Sequence, residues 1–303
     1  MECPVFERRE QIESRRAGRP LDAAGPGLWC AGTLAGLARP CVAIVGTRAA
    51  TLAGKRLAHQ LAADLGRAGC CIVSGLALGI DASAHEGALA ANAPTIGVLG
   101  SGHQQFFPRR NRGLAQRMIE AGGAVLSPYA PDRAARPWQF LARNGTVASL
   151  ADAVVVVEAP ARSGALNTAS WAAGRIPVLA VPGDVDRPHV AGCLALIRDG
   201  ATLARGAADV LEAIGALPLP FEAPPRAASA TPYAGALLDA LDAGARRLDE
   251  LIATTGIEPA TALAALTVLE LEDVIASGPG ATYGRVRPSA GVGRGGAVLN
   301  VSC

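Results

Sequence analysis

Lysine is almost missing from this chain: Lys55 is the sole one among 28 cationic residues, so the positive charge is otherwise arginine. A compositional bias accounts for the preference, but its chemical consequence stands. Each cationic contact comes from a planar fork that suits phosphate or carboxylate. The net charge is only +2 over 303 residues, which excludes a diffusely basic protein and confines any nucleic-acid contact to a local patch. The seven cysteines, at 3, 30, 41, 70, 71, 193 and 303, include no C-x-x-C pair. That argues against zinc ligation and a disulfide framework, and for buried, reduced thiols in a cytoplasmic protein. No uninterrupted apolar run is long enough for a bilayer, and Met1 to Arg19 has no apolar core of a leader, so a soluble protein with no membrane partner is expected. H-x-x-x-H, H-E-x-x-H and G-x-S-x-G are absent too, which leaves metallohydrolase and nucleophile-elbow chemistry without a foothold and no metal expected.

What is present is apolar. Hydrophobic residues make up 50% and charged ones 18%, enough for a large buried core. Short apolar runs at 41–45, 70–73, 95–99, 124–126, 153–157 and 177–181 alternate with helical patterns at 54–66, 81–91, 111–121, 140–150 and 164–174. Strands apolar throughout and separated by single helices predict a doubly wound α/β sheet, mostly parallel, with its site at the strands' carboxyl ends. This domain is assigned to 41–215, closed by a helix at 206–214, after a poorly defined lead-in at 1–40. A Pro- and Ala-rich linker follows at 216–232. Three short helical patterns then present Leu237, Leu238 and Leu241, next Leu248, Leu251 and Ile252, and last Leu263, Leu266 and Leu269. With a turn at Thr255-Gly256 and a hairpin around Gly278-Pro279-Gly280, residues 233–287 read as a winged helix-turn-helix, and 288–303 as a flexible tail.

Four strand ends terminate in small or polar residues: Gly46-Thr47-Arg48, Ser74-Gly75, Gly100-Ser101-Gly102, and Glu158 followed by Arg162-Ser163-Gly164. Glycine admits a ligand close to the backbone, and hydroxyls donate without bulk, so together these ends describe a shallow pocket for phosphate and base. Cys41–Val45 ahead of Gly46 places an anion-attracting turn before the helix at 54–66. Asp81 and His85 stand four apart and could hydrogen-bond on one helix face, although an N-cap is the better role for Asp81. Glu158 suits a hydrogen bond to a neighbouring loop better than a general base. No G-x-G-x-x-G follows Val45 and the next strand ends without an acid, so no dinucleotide cofactor is expected.

Sequence-independent binding of single strands needs a cationic track and often stacking rings. Aromatics are only 4% of the chain, yet Phe106, Phe107, Trp138 and Phe140 fall among Arg109, Arg110, Arg112, Arg136 and Arg143, with Glu120 and Asp132 the only acids between 109 and 143. Trp138 and Phe140 could equally be core. The third C-terminal helix, by contrast, offers Thr, Ala and Leu flanked by glutamates, the wrong charge for groove insertion.

These segments carry a resemblance. VAIVGTR at 42–48, SGLALGIDASAHEGAL at 74–89, IGVLGSG at 96–102, FLARN at 140–144 and VVVVEAPARSGALNTASWAAGR at 154–175 resemble the DNA-processing protein A family (DprA, also called Smf). LDELIATTGIEPATALAALTVLELEDVI at 248–275 is similar to the winged helix that many members carry. The resemblance implies a Rossmann-like domain that binds single-stranded DNA, forms a homodimer, and hands the strand to the recombinase RecA in natural transformation, without catalysis. It implies Arg48 as phosphate clamp, with Gly46, Thr47, Ser74, Gly75, Gly100, Ser101, Gly102, Asn111, Arg143, Asn144, Arg162, Ser163 and Gly164 as further DNA-binding residues, and the arginine-rich stretch described above adds Arg109 and Arg110. Where the family reads Arg-Asn-Arg, this chain has Arg143-Asn144-Gly145. The rival is a phosphoribohydrolase-like enzyme on a related sheet, whose PGGxGTxxE signature is missing at Val181-Pro182-Gly183-Asp184.

Overall fold

The computed structural model describes residues 3–16, 19–21, 25–216, 233–244, 247–271, 274–278 and 280–285. Residues 217–232 of the expected linker and the expected tail at 288–303 lie outside the described residues. The chain divides into two compact units, Met1–Pro220 and Phe221–Cys303.

The first unit runs β1 (Val5–Arg8), α1 (Arg9–Arg15), β2 (Gly27–Gly32), β3 (Cys41–Val45), α2 (Leu52–Arg67), β4 (Cys71–Ser74), α3 (Ile80–Ala90), β5 (Thr95–Val98), α4 (Arg112–Glu120) and β6 (Ala124–Ser127). It continues with α5 (Pro137–Leu150), β7 (Ala153–Val156), α6 (Gly164–Ala172), β8 (Val178–Ala180), α7 (Ala191–Arg198), β9 (Thr202–Leu203) and α8 (Ala207–Ala213). The nine strands lie in the order β1-β2-β6-β5-β4-β3-β7-β8-β9. From β6 to β9 all neighbours are parallel.

The five residues of β3 are all buried, and they alternate between two cores. Val42 and Ile44 pack with Leu61 and Leu65 of α2, whereas Cys41, Ala43 and Val45 pack with Val147 of α5 and Ala165 of α6. Each large side chain buried this way contributes roughly 1.5–3 kcal/mol, so the centre of the sheet anchors the turns that leave it. Close helix packing depends on a glycine: a Cβ on Gly87 of α3 would lie 2.1 Å from the carbonyl oxygen of His59 in α2.

The lead-in expected at 1–40 is instead part of the sheet. β2 pairs antiparallel with β6, Cys30 opposite Leu126, and β1 pairs antiparallel with β2. Mixed charge in Val5–Arg8 hid β1, an edge strand whose side chains are largely exposed. β2 was hidden by its flanking glycines, yet Leu28 and Cys30 are buried in the same core as Val45. Such antiparallel edges on a parallel sheet are common.

In the second unit α9 (Ala234–Asp242), α10 (Leu248–Thr255) and α11 (Pro259–Leu271) precede a hairpin of β10 (Ile275–Gly278) and β11 (Thr282–Arg285). α10 ends at Gly256, whose φ of 69° is the left-handed C-cap that glycine tolerates. The turn sets α10 and α11 at 113°, within the helix-turn-helix range. Leu237, Leu241, Leu251, Leu266, Leu269 and Ile275 form the core. Leu263, expected on the buried face of α11, is 47% exposed, because Ala262 and Ala265 take the inner positions. No described helix is by itself long and apolar enough to cross a membrane.

Candidate nucleic-acid interface

Strand order reverses direction at β3, which is flanked by β4 on one side and β7 on the other. Loops leaving β3 and β7 at such a switch point diverge to opposite faces and open a crevice beyond the carboxyl ends. A cleft of about 380 Å³ sits there. Gly46, Thr47 and Arg48 supply its wall from β3, Arg162, Ser163 and Gly164 from the β7 side, and Gly75 and Asp81 part of its floor. Phe140, Leu141, Arg143 and Asn144 complete it from α5.

The Gly46-Thr47-Arg48 turn is held rigidly. Thr47 donates its N–H to the carbonyl of Glu158 at 2.7 Å and accepts from the N–H of Ile80 at 3.3 Å. A Cβ on Gly46 would meet Ile80 Cγ1 at 2.4 Å, so glycine is required by packing as well as by access. Gly79 (φ 82°) passes so close that its Cβ would lie 2.4 Å from the Thr47 carbonyl oxygen. With its backbone fixed, the exposed Arg48 side chain places its guanidinium carbon 5.2 Å from the Phe140 ring centroid. Cation–π contact at that distance keeps the fork poised at the cleft.

The helix N-terminus that faces the cleft is not the one expected. α2 starts at Thr51, whose hydroxyl accepts the Gly54 N–H at 3.0 Å. The Glu158 carboxylate accepts the Thr51 N–H at 2.9 Å and the Thr51 hydroxyl as well. A Cβ on Gly54 would lie 2.3 Å from that carboxyl carbon, so Glu158 itself occupies the start of α2. The cleft is lined instead by the first residues of α6, with Ser163 as N-cap accepting from Ala165 at 3.3 Å. Its partial positive charge falls between Arg162 and Asn144. Nothing in sequence separates the two helix starts, because each follows a strand and a small polar residue.

Arg143 lines the cleft only at its base, with its guanidinium spent on the fold. It is 3% exposed and donates Nη1 to the carbonyls of Gly75 and Val98. Burial pulls its pKa down to about 10, with Asp81 opposing the shift, so it stays charged at neutral pH. Asp81 accepts the N–H groups of Gly75 at 3.1 Å and Ala77 at 3.3 Å. Burial raises the Asp81 pKa, while Arg143 and those two N–H groups lower it. Asp81 therefore ties the β4–α3 loop together, and the N-cap position of α3 belongs to Gly79. Asn144 reaches the Gly164 carbonyl at 3.0 Å, linking α5 to α6.

The remaining residues are distributed otherwise. Ser74 is buried and bonds the Ile44 carbonyl at 2.6 Å. Gly100 backs onto Phe140, where a Cβ would sit 2.7 Å from the ring, and Gly102 abuts the 130–131 backbone. Ser101 is fully buried. Asn111 is buried and donates to the carbonyls of Leu76 and Ala77. Arg109 lines a separate depression of about 350 Å³ with Phe107, Arg112 and two glutamines, and Arg110 is exposed beside it. The two hollows meet at one ring contact, Phe107 edge-on to Phe140 at 5.7 Å. Trp138 is 53% exposed and Phe106 is core.

Among the described residues no acid–base pair forms around His85. Its Nδ1 meets the Thr95 hydroxyl at 2.7 Å, and that hydroxyl donates to the Ile72 carbonyl, so Nδ1 carries the hydrogen. Burial drives the imidazole pKa down to about 3, leaving it neutral. Thr168 and Val147, which also line the cleft, were unmarked in sequence because they resemble ordinary helix-core residues.

The family model described as DNA recombination-mediator protein A matches residues 16–215, and that of the DprA winged helix domain matches 221–281. The chain belongs to the DprA family. Protein Smf of Synechocystis is 33% identical over 282 residues, covering 81% of this chain and 70% of the relative. The DNA processing protein DprA of Bacillus subtilis is 39% identical over 173 residues, 56% of this chain and 58% of that one. Among solved structures, DprA from Streptococcus pneumoniae superposes with a TM-score of 0.58 at 37% identity, over 62% of this chain and 66% of that one. DprA from Helicobacter pylori, described for its single-stranded DNA binding mode, gives 0.57 at 31%, over 63% and 89%. Gly145, which follows the Arg143-Asn144 pair, is buried in α5, its carbonyl accepting from Ser149 at 2.8 Å.

Proposed function

We propose that the cleft between β3 and β7 binds single-stranded DNA without sequence preference. The observation that carries this reading is the convergence of two exposed guanidinium groups, Arg48 and Arg162, on one cleft with the Phe140 ring and the start of α6. Phosphates suit the forks and the helix start, and a base suits the ring. The Phe107 contact extends the track toward Arg109, Arg110 and Arg112. Membership in the DprA family and the likeness to the Helicobacter pylori protein support the same ligand.

Fluorescence anisotropy with a labelled oligonucleotide tests it. Arg48→Ala lowers affinity and reduces the slope of log affinity against log salt by about 0.7, the share of one phosphate contact on a single strand. Phe140→Ala costs about 1–3 kcal/mol, the usual range for one stacked base. Unchanged affinity of Arg48→Ala at low salt would overturn the assignment.

Family membership further supports a homodimer in the cytoplasm that hands its strand to the recombinase RecA in transformation and recombination, with no catalytic step. The winged helix fits protein contacts better than duplex reading, because α11 contains no lysine or arginine and exposes Leu263. Duplex binding that maps to residues 233–287 would contradict that role.

A further inference from the structure

The helix that closes one side of the cleft keeps an apolar outer face. On α5, Trp138, Leu141 and Ala142 are all exposed, Trp138 at 53% and Leu141 at 50%. Single apolar residues on a surface are ordinary, but these three are contiguous at helical spacing. Leu141 also lines the cleft, so the patch begins where the cleft ends. Trp138 stands three residues before Leu141, about 4.5 Å along the helix axis and about 60° around it. Phe140 stands two residues after Trp138, on the far side of the helix, where it meets Gly100 and Phe107. The two rings therefore cannot hold the same base.

The indole is also held in place. Tyr129 meets it edge-on, with ring centroids 6.1 Å apart and planes at 90°. The Tyr129 hydroxyl in turn donates to the Gln139 carbonyl at 3.3 Å. A ring fixed before its partner arrives loses little freedom on stacking. Arg133 and Arg136, both exposed, lead into α5 against a single nearby acid, Asp132. Phosphates match that arginine excess, and a base matches the ring. Continuity with the cleft through Leu141 selects the strand over an acidic protein surface.

We propose that Trp138 is a second stacking platform for the bound single strand. A base leaving the cleft past Leu141 stacks on the indole, with Arg133 and Arg136 supplying the local positive charge. The inference rests on the proposed cleft and adds the direction in which the strand leaves it.

Tryptophan emission during titration with an oligothymidylate reads this contact, because a stacked base quenches the indole. The chain has three tryptophans. Trp29 packs on Phe6 of β1, and Trp171 lies on α6 outside the cleft lining. Quenching of the wild-type chain is expected, with the same midpoint as the anisotropy of a labelled oligonucleotide. Trp138→Phe loses the quench yet keeps affinity within about twofold, since a phenyl ring still stacks. Trp138→Ala weakens binding about tenfold and leaves the slope of log affinity against log salt unchanged, because no phosphate contact is lost. If Trp138→Ala fails to fold, Trp138→Phe carries the test. Saturable anisotropy without a quench, or a quench that persists in Trp138→Phe, overturns the platform and leaves the cleft standing. No anisotropy change in the wild-type chain overturns the cleft and the platform together.

Discussion

Replacing Arg143 by alanine distinguishes a buried strut from a DNA contact. Truncation takes away the donor to the Gly75 and Val98 carbonyls and the cation facing Asp81. Asp81, 5% exposed, then keeps only the N–H groups of Gly75 and Ala77. Leaving two buried carbonyls without their donor costs about 1–3 kcal/mol each, and Asp81 loses a nearby opposite charge besides. Asp81 can relieve part of that by taking up a proton, since burial already raises its pKa, so the low end is expected. For a domain of this size each kcal/mol lowers Tm by about 2–4 °C, giving a fall on the order of 10 °C. Circular dichroism melts beside oligonucleotide anisotropy provide the readout. Arg143→Met combined with Asp81→Asn recovers part of the loss, because no charge is then stranded. A melt shift under about 2 °C with tenfold weaker DNA binding would refute the strut and return Arg143 to the interface.

Gly79→Ala places a Cβ 2.4 Å from the Thr47 carbonyl at a φ of 82°, so it distorts the Thr47–Arg48 turn and weakens oligonucleotide binding more than Gly164→Ala, where a Cβ meets open space. His85 titrates near 3 in the folded chain against 6.5 when exposed, so between those values the unfolded chain alone binds the proton. Unfolding free energy therefore falls as pH drops below 6.5, by at most about 1.4 kcal/mol per pH unit from this group, and His85→Asn flattens the slope in urea titrations run from pH 7 to 4. Burial pushes the thiol of Cys30 up to about 12 and those of Cys70 and Cys193 up to about 11, so iodoacetamide at pH 8 modifies exposed Cys3 and spares these three by peptide mass spectrometry.

The parallel core was legible because its strands are buried on both faces and read as unbroken apolar runs. Cys41–Val45 falls on the expected residues, and the other core strands differ by one residue at one or both ends. α7 was missed because Ala191–Arg198 is short and carries Gly192 and Cys193 in its first turn. At the site, sequence identifies which strand ends are permissive but not which way their side chains turn. Arg48, Arg143 and Arg162 look alike in sequence; two are exposed, while the third is sealed under Gly75 by the packing of α5 on the sheet. Ser74 and Ser101 look like donors to a ligand and are spent on internal carbonyls or buried. The expected Glu158 contact to a neighbouring loop is present, at Thr51.

That contact closes a seat. In dinucleotide-binding relatives of this architecture the helix after the first parallel strand receives a pyrophosphate. Here a carboxylate from the chain itself sits on the Thr51 N–H and hydroxyl. Being part of the chain, it holds that seat without the association cost that a free anion would meet. The occupant also carries negative charge, which repels the anion it displaces. Glu158 thus fills, with the chain's own carboxylate, the place at the start of α2 that such an anion would take, and the start of α6 is the one that lines the cleft.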